Sequence, residues 1–268
     1  MTQFTLQMYT LRNFMKSPEA LDSTLSRVAQ MGYESVQITP PSFTNAEGLA
    51  KLLAIKGLTA DSAICSVYMI PERIEQIARD ADALKTRVLR TDSINAEDRK
   101  TADGYLSFAK HLNECGKLLR KKGLDFMYHF HSFEFVDFGG VRGIDILLNE
   151  TDPEYVMFQP DVFWLAAAGT EPSRSLHMFR GRARYLHCKD YVITTSQDPT
   201  LEKTTRASAP VGTGNLHWNE IFATAKEMEI KNFVVEDDMG VLDPFESAEL
   251  SLCNLKKIAN KQRFEIVG

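Results

Sequence analysis

Positions 128 to 135 read Tyr128-His129-Phe130-His131-Ser132-Phe133-Glu134-Phe135, two imidazoles and a carboxylate inside a run of aromatic residues. In an extended strand alternate side chains face opposite ways, so His129 and His131 share one side while Tyr128 and Phe130 share the other. Imidazoles offer nitrogen ligands and carry protons near neutral pH, and carboxylates offer oxygen ligands and bases. The same residue types recur in Gln159-Pro160-Asp161, His187-Cys188-Lys189-Asp190 and Glu236-Asp237-Asp238, each closing a short apolar run. Singly, each has an ordinary structural explanation: a hydrogen-bonded core histidine, a helix-capping Asp161, or solvated loop charges at 236–238. Their recurrence at the ends of consecutive runs is the signal for chemistry.

The elements that must position these groups alternate in type. Strand-like runs fall at 4–9, 34–38, 58–64, 86–91, 124–130, 155–160, 183–188 and 232–236, and helix-like patterns separate them. The first helix opens at Ser17-Pro18-Glu19 and stops at Gly32; the second ends at Gly57. A serine before a proline opens a helix well, and glycine is a common stop. Further helical patterns span 71–84, 96–123, 143–150, 171–179, 216–229 and 244–261. Alternation of this kind implies a parallel sheet with helical crossovers. Eight repeats in about 250 residues predict a closed (β/α)₈ TIM barrel, one domain over residues 1–268. No G-x-G-x-x-G turn follows the first strand, against an open nucleotide-binding sheet, and Gly212-Thr213-Gly214-Asn215 reads as a tight turn. In such a barrel the carboxyl ends of the strands meet at one mouth, so four consecutive strands deliver acids or imidazoles to one rim.

The chain has 268 residues, 44% of them hydrophobic, enough for a full core, and a formal charge of −5. No apolar run approaches the roughly 18 residues that span a bilayer, and the first residues lack a secretion signal's pattern; a cytoplasmic protein is expected. Cys65, Cys115, Cys188 and Cys253 are far apart and read as reduced, buried thiols. The one short basic cluster, Arg120-Lys121-Lys122, suits a helix end. Without a basic stripe, nucleic-acid binding is not expected. Carboxylates and imidazole gathered at one rim form the oxygen-rich mixed ligation that suits Mn²⁺, with Zn²⁺, Co²⁺ or Mg²⁺ as alternatives.

The phrases YHFHSFEF, NETDPEYVMFQPDVFWLAAAG, ARYLHCKD, PVGTGNLHWNEI and FVVEDDM, in this order, resemble successive signatures of the sugar phosphate isomerase/epimerase family. These xylose isomerase-like barrels also include inosose dehydratases, ketose 3-epimerases and endonuclease IV. The resemblance runs from LQMYTLR to the final helix and is strongest over 124–239. It implies a metal site of Asp161, His187 and Glu236, completed by a strand-five residue. Glu134 is the expected fourth ligand, His129 is its rival, and His131 faces the substrate. Relatives often carry Glu at the end of strand two and His at the end of strand three, where this chain has Gln37 and Ile64. That departure argues against the trinuclear endonuclease site.

Such a site can polarise a hydroxy-ketone and stabilise the enediolate left by proton removal. The expected function is therefore metal-dependent isomerisation or epimerisation of a keto-sugar or keto-inositol. Loss of a β-oxygen by a lyase is the alternative, and a non-catalytic sugar-binding barrel is the second. Glu134 and Glu236 are the expected proton carriers across the substrate. His131 and Lys189 are expected to bond substrate oxygens or protonate a leaving group, with Asp190 or Asp161 as ion-pair partners for Lys189. His129, Trp164 and Tyr9 complete the substrate-binding expectation, while Phe133 and Tyr9 suit core packing at least equally and Arg12 suits either an anionic group or solvent. The polar segment 193–215 is long enough for a lid, a binding loop or a homo-oligomer contact.

Overall fold

The computed structural model describes residues 2–195, 204–238, 240 and 242–265. Strands and helices alternate from the start: β1 (Gln3–Gln7), α1 (Pro18–Gln30), β2 (Ser35–Gln37), α2 (Ala46–Ile55), β3 (Thr59–Ile64), α3 (Ile70–Leu84), β4 (Val88–Asp92) and α4 (Ala102–Lys121). They continue as β5 (Asp125–His129), α5 (Gly143–Glu150), β6 (Met157–Gln159), α6 (Val162–Ala167), α7 (Pro172–Ser175) and β7 (Tyr185–Cys188). A hairpin of β8 (Asp190–Thr195) and β9 (Thr204–Ala209) precedes α8 (Trp218–Glu227), β10 (Asn232–Val235) and α9 (Pro244–Lys261).

Eight of these strands form one parallel sheet in the order β6-β5-β4-β3-β2-β1-β10-β7, the expected barrel, with β10 as its eighth member. The edges β6 and β7 meet through parallel bridges Phe158–Ala183 and Asp161–His187, and the His187 amide donates to the Pro160 carbonyl at 2.7 Å. The seam thus closes at two of the candidate ligands. Helices cover the barrel with stripes of buried residues at helical spacing, such as Leu21, Leu25 and Val28 of α1 and Leu112, Cys115 and Leu119 of α4. Ser17 Oγ accepts the Ala20 amide at 3.2 Å, capping α1 as its Ser-Pro opening implies. Among the described residues no helix is long and apolar enough to cross a membrane.

Local differences from the sequence reading have physical causes. The pattern over 96–123 breaks at Thr101, whose hydroxyl accepts the Gly104 amide at 3.0 Å and starts α4 there. Residues 162–167 are helical because Asp161 caps them. The segment 193–215 is not a plain loop: β8 pairs antiparallel with β9, as β-branched Val192, Ile193 and Thr194 favour, although its residues 196–203 lie outside the described part. All four cysteines are free, but only Cys115 and Cys188 are buried; Cys65 is half-buried and Cys253 is exposed on α9.

Asp190, at the root of the hairpin, organises the turn that leads into α8. Its Oδ1 accepts the amides of Tyr191 (2.8 Å) and Leu216 (3.2 Å). Its Oδ2 accepts the amides of Gly212 and Gly214, both at 3.0 Å, and the Trp218 indole at 2.7 Å. The Gly212-Thr213-Gly214-Asn215 turn therefore wraps a buried carboxylate, and a Cβ at Gly214 would collide with Asp190 and the Tyr191 carbonyl. Asp190→Ala orphans several buried donors and is expected to lower unfolding free energy by on the order of 3 kcal/mol in chemical denaturation. A loss near zero would show that water replaces the carboxylate.

Candidate functional site

The outer side of the strand-five segment is packing. Tyr128 meets Phe108 edge-on at 5.4 Å between ring centroids, and Phe130 stacks on Phe179 at 5.1 Å. With these rings fixed, strand alternation turns His129 into the barrel mouth. Asp161, just past β6, divides its carboxylate. Oδ1 accepts the amides of Phe163 (2.8 Å) and Trp164 (3.1 Å) at the start of α6. Oδ2 lies 3.3 Å from His129 Nε2 and 3.1 Å from His187 Nδ1. Glu236, just past β10, brings Oε2 to 3.5 Å from His187 Nδ1.

His129, Asp161 and His187 each offer one ligand atom, all within 4.8 Å of one another, and all three residues are buried. With Glu236 alongside, two nitrogens and two oxygens converge. This donor set fits a divalent transition ion, and the far polar atoms of Asp161, His129 and His187 face the α6 amides, Asp92 and Arg90 respectively. The electrostatics agree. Burial works against ionised Asp161, but hydrogen bonds to His129 and His187 prevail and hold it below the usual carboxylate range. Burial likewise works against protonated His129, yet its bonds to Asp161 and Asp92 raise it to about 9. Burial and the charge of His129 push His187 down to about 3. A proton shared around Asp161 is what an incoming cation would displace.

Two residues of this site carry no motif in the sequence. Asp92 pairs in register with His129 across β4 and β5, and its Oδ1 lies 3.2 Å from His129 Nδ1. Arg90, 4% exposed, donates to Asp92 Oδ2 at 2.6 Å and to Gln37 Oε1 at 3.1 Å. Gln37 in turn donates to Asp61 at 3.0 Å, so the polar wall crosses three strands. The available signal was an arginine in mid-strand, two residues before an aspartate and so on the same face.

Above the cluster lies a cavity of about 450 Å³, within the usual range for small-molecule sites, with Tyr9, Arg12, Arg90, His131, Trp164 and Lys189 on its walls. Glu236 also lines it, its carboxyl raised by burial, against the pull of Lys189, to about 7. Lys189 is buried; its partner is the Asp238 carboxylate rather than the expected Asp190 or Asp161. Its Nζ lies 4.8 Å over Phe163 and 5.2 Å over Trp164. Burial works against its charge, but Glu236, Asp161 and Asp238 outweigh that and raise it. His131 stacks on Phe133 at 5.1 Å, and burial together with the charge of His129 pushes it down to about 3, so it is neutral. Tyr9 is 54% exposed, with the Arg12 guanidinium 4.2 Å over its ring. Arg12 is not a free solvent charge, because it donates to the Asp238 carbonyl at 3.0 Å.

Glu134 is placed otherwise than expected. Residues 133–135 form a 3₁₀ turn that carries its side chain back beneath the strand. There the Tyr128 hydroxyl donates to Oε1 and the His131 amide donates to Oε2 at 2.9 Å. It lines neither the cavity nor the cluster, and His129 stands in the strand-five donor position instead.

Comparison with known proteins agrees with this fold. The family model described as xylose isomerase-like TIM barrel matches residues 25–241. An inosose dehydratase of Bacillus cereus strain AH820 is 23% identical over 257 residues, covering 85% of this chain and 86% of that protein. A sugar phosphate isomerase/epimerase of Parabacteroides distasonis ATCC 8503 superposes with a TM-score of 0.78 at 21% identity, covering 95% of this chain and 93% of that one. The IOLI protein, solved with a zinc atom, superposes with a TM-score of 0.73 at 15% identity, covering 98% of this chain and all of the other (100%).

Asp92→Asn removes the anion that orients His129, and calorimetric titration with Zn²⁺ is expected to show affinity lower by about 10- to 100-fold. Unchanged affinity would leave His129 outside the donor set. Burial, opposed by the Tyr128 and His131 hydrogen bonds, raises Glu134 from 4.5 to about 7. The folded protein thus binds more protons than the unfolded chain between these values. Its contribution to stability is full below about 4.5 and is lost as pH rises to about 7. In metal-stripped protein, Glu134→Gln is expected to flatten that part of the Tm–pH curve; an unchanged slope would assign the dependence to other groups.

Proposed function

The chain belongs to the xylose isomerase-like TIM barrel family, and from that premise we propose that it is a metal-dependent lyase that removes water from a keto-sugar or keto-cyclitol. The observation that carries this reading is the separation of two carboxylates expected to act together. Glu236 lines the cavity beside the donor cluster and next to Lys189, whereas Glu134 is tied beneath the strand. A two-base epimerase with Glu134 opposite Glu236 therefore lacks its second base, while a base paired with an ammonium suits elimination.

His129, Asp161, His187 and Glu236 would hold the cation. When bound, a divalent ion supplies polarisation of the carbonyl and countercharge for the developing enediolate. Two nitrogen donors move the preference from Mn²⁺ toward Zn²⁺ or Co²⁺. Glu236 takes the proton from the carbon next to the carbonyl. That C–H pair becomes the new C=C bond as the β C–O bond breaks, and Lys189 gives its proton to the departing hydroxyl, which leaves as water. Tyr9 and Trp164 offer ring faces to the C–H surface of the substrate. The name of the Bacillus cereus relative, inosose dehydratase, accords with this reaction class.

Isomerisation or epimerisation is the second reading, favoured by His131, a neutral imidazole on the cavity wall that can accept a proton from another face. Incubating Zn²⁺-loaded protein with a keto-inositol in heavy water, then recording NMR spectra, separates the readings. Vinylic signals with loss of water are expected; exchange of a carbon-bound proton without loss would favour the epimerase. Neither event would overturn both and leave a sugar-binding barrel. In protein saturated with Zn²⁺ and checked for metal content, Glu236→Gln is expected to lower kcat by about 10²- to 10⁴-fold with the ion still held by His129, Asp161 and His187, and a smaller effect would place the base elsewhere.

A further inference from the structure

A second cavity, of about 530 Å³, adjoins the first between α3 and the strands β3 and β4. Thr39, Ile64 and Asp92 line both, so the two meet at the rim of the mouth. Its interior is apolar, formed by buried Ala63, Ile77, Leu84 and Leu89. Half-buried Met69 and Cys65 bring sulfur to its wall, and sulfur makes favourable contacts with aromatic edges. The outer side is polar, where Gln76 donates to Asp80 at 2.7 Å. Beside it, α3 departs from helical geometry at Arg73 (φ −116°, ψ 15°).

None of His129, Asp161, His187, Lys189 or Glu236 lines this cavity, so it is built to bind rather than to react. A single sugar ring is accommodated by the first cavity alone, whose volume already falls in the range of ordinary ligand sites. The second cavity is mostly apolar and shares the walls formed by Thr39, Ile64 and Asp92 with the first, and a free polyol gains nothing from it. We propose that it receives an aryl aglycone, the substrate being a glycoside whose oxidised sugar ring lies over the metal-binding cluster. This rests on the reading of the site as a keto-sugar lyase. β3 and β7 lie four strands apart around the barrel, so the aglycone sits across the mouth from Lys189. It is therefore the retained substituent, and the group expelled near Lys189 is the ring hydroxyl β to the ketone, which for a C4 ketone is the C2 hydroxyl.

Calorimetric titration of Zn²⁺-loaded protein with phenyl and methyl β-glucoside tests the cavity without requiring turnover. Phenyl glucoside is expected to bind at least about ten-fold tighter, as burial of a ring in an apolar site implies. Ala63→Phe fills the interior and Ser66→Trp, at an exposed residue, plugs the entrance; both should bring the ratio toward one while methyl glucoside binding stays unchanged. If Ala63→Phe does not fold, Ser66→Trp alone carries the test. Equal affinities in the native protein, no binding of either glucoside, or equal weakening of both by Ser66→Trp overturns the proposal. From phenyl 4-ketoglucoside, removal of the C3 proton and loss of the C2 hydroxyl as water, with the phenoxy group kept at C1, is expected; release of phenol from phenyl 3-ketoglucoside with no loss of water from the 4-ketone overturns the retained orientation. A phenyl preference without any elimination refutes the lyase reading and leaves the aryl site standing.

Discussion

The divided carboxylate of Asp161 is the constraint on which the rest depends. One oxygen is spent on the amides that begin α6, and the other faces two imidazoles from different strands. The residue sits where β6 meets β7, so the bridge that closes the barrel and the bridge between ligands are the same piece of structure. Fold and site are coupled there: a seam that opened would separate Asp161 from His187, and the cluster would lose its centre.

Around that centre the mouth holds many charges away from water. Arg90, Asp92, Asp161, Lys189 and Glu236 each face at least one opposite charge or an imidazole. Removing ions from water costs several kcal/mol each, and well-packed apolar residues would serve stability as well or better. Such an arrangement is understandable when the charges must do something, here holding a cation and moving protons. Arg90 and Asp92 belong to it although neither approaches as a ligand: the Asp92 carboxylate faces the far nitrogen of His129 as its ion-pair partner, and Arg90 fixes Asp92. Ring geometry then sets the orientation of the near nitrogen.

Rings carry the mechanical side. Tyr128, Phe130, Phe158 and Phe179 interlock behind the mouth, and Phe133 holds the His131 ring in a stack. The short segment from Tyr128 to Phe135 is therefore two-sided. Its aromatic side anchors β5, and its imidazoles face the cavity. Glu134 serves the anchor, satisfying a buried hydroxyl and a backbone amide at the turn.

The amino-acid sequence by itself determined the repeating pattern, because alternation in strands, helical spacing and a cap such as Ser17 are local matters. It placed α5 and α9 over their observed residues, and it placed Asp161, His187 and Glu236 at strand ends. The β8–β9 pairing was illegible, since a polar, β-branched segment reads as a loop until a partner strand satisfies its amides. Only the tertiary structure decided which strand-five group faces the cluster. A 3₁₀ turn sends Glu134 inward while strand alternation sends His129 to the mouth, and no pattern of spacing distinguishes those outcomes. It likewise decided the roles of Arg90 and Asp92, because whether a charge on a strand meets solvent or a ligand depends on its neighbours across the sheet, distant along the chain.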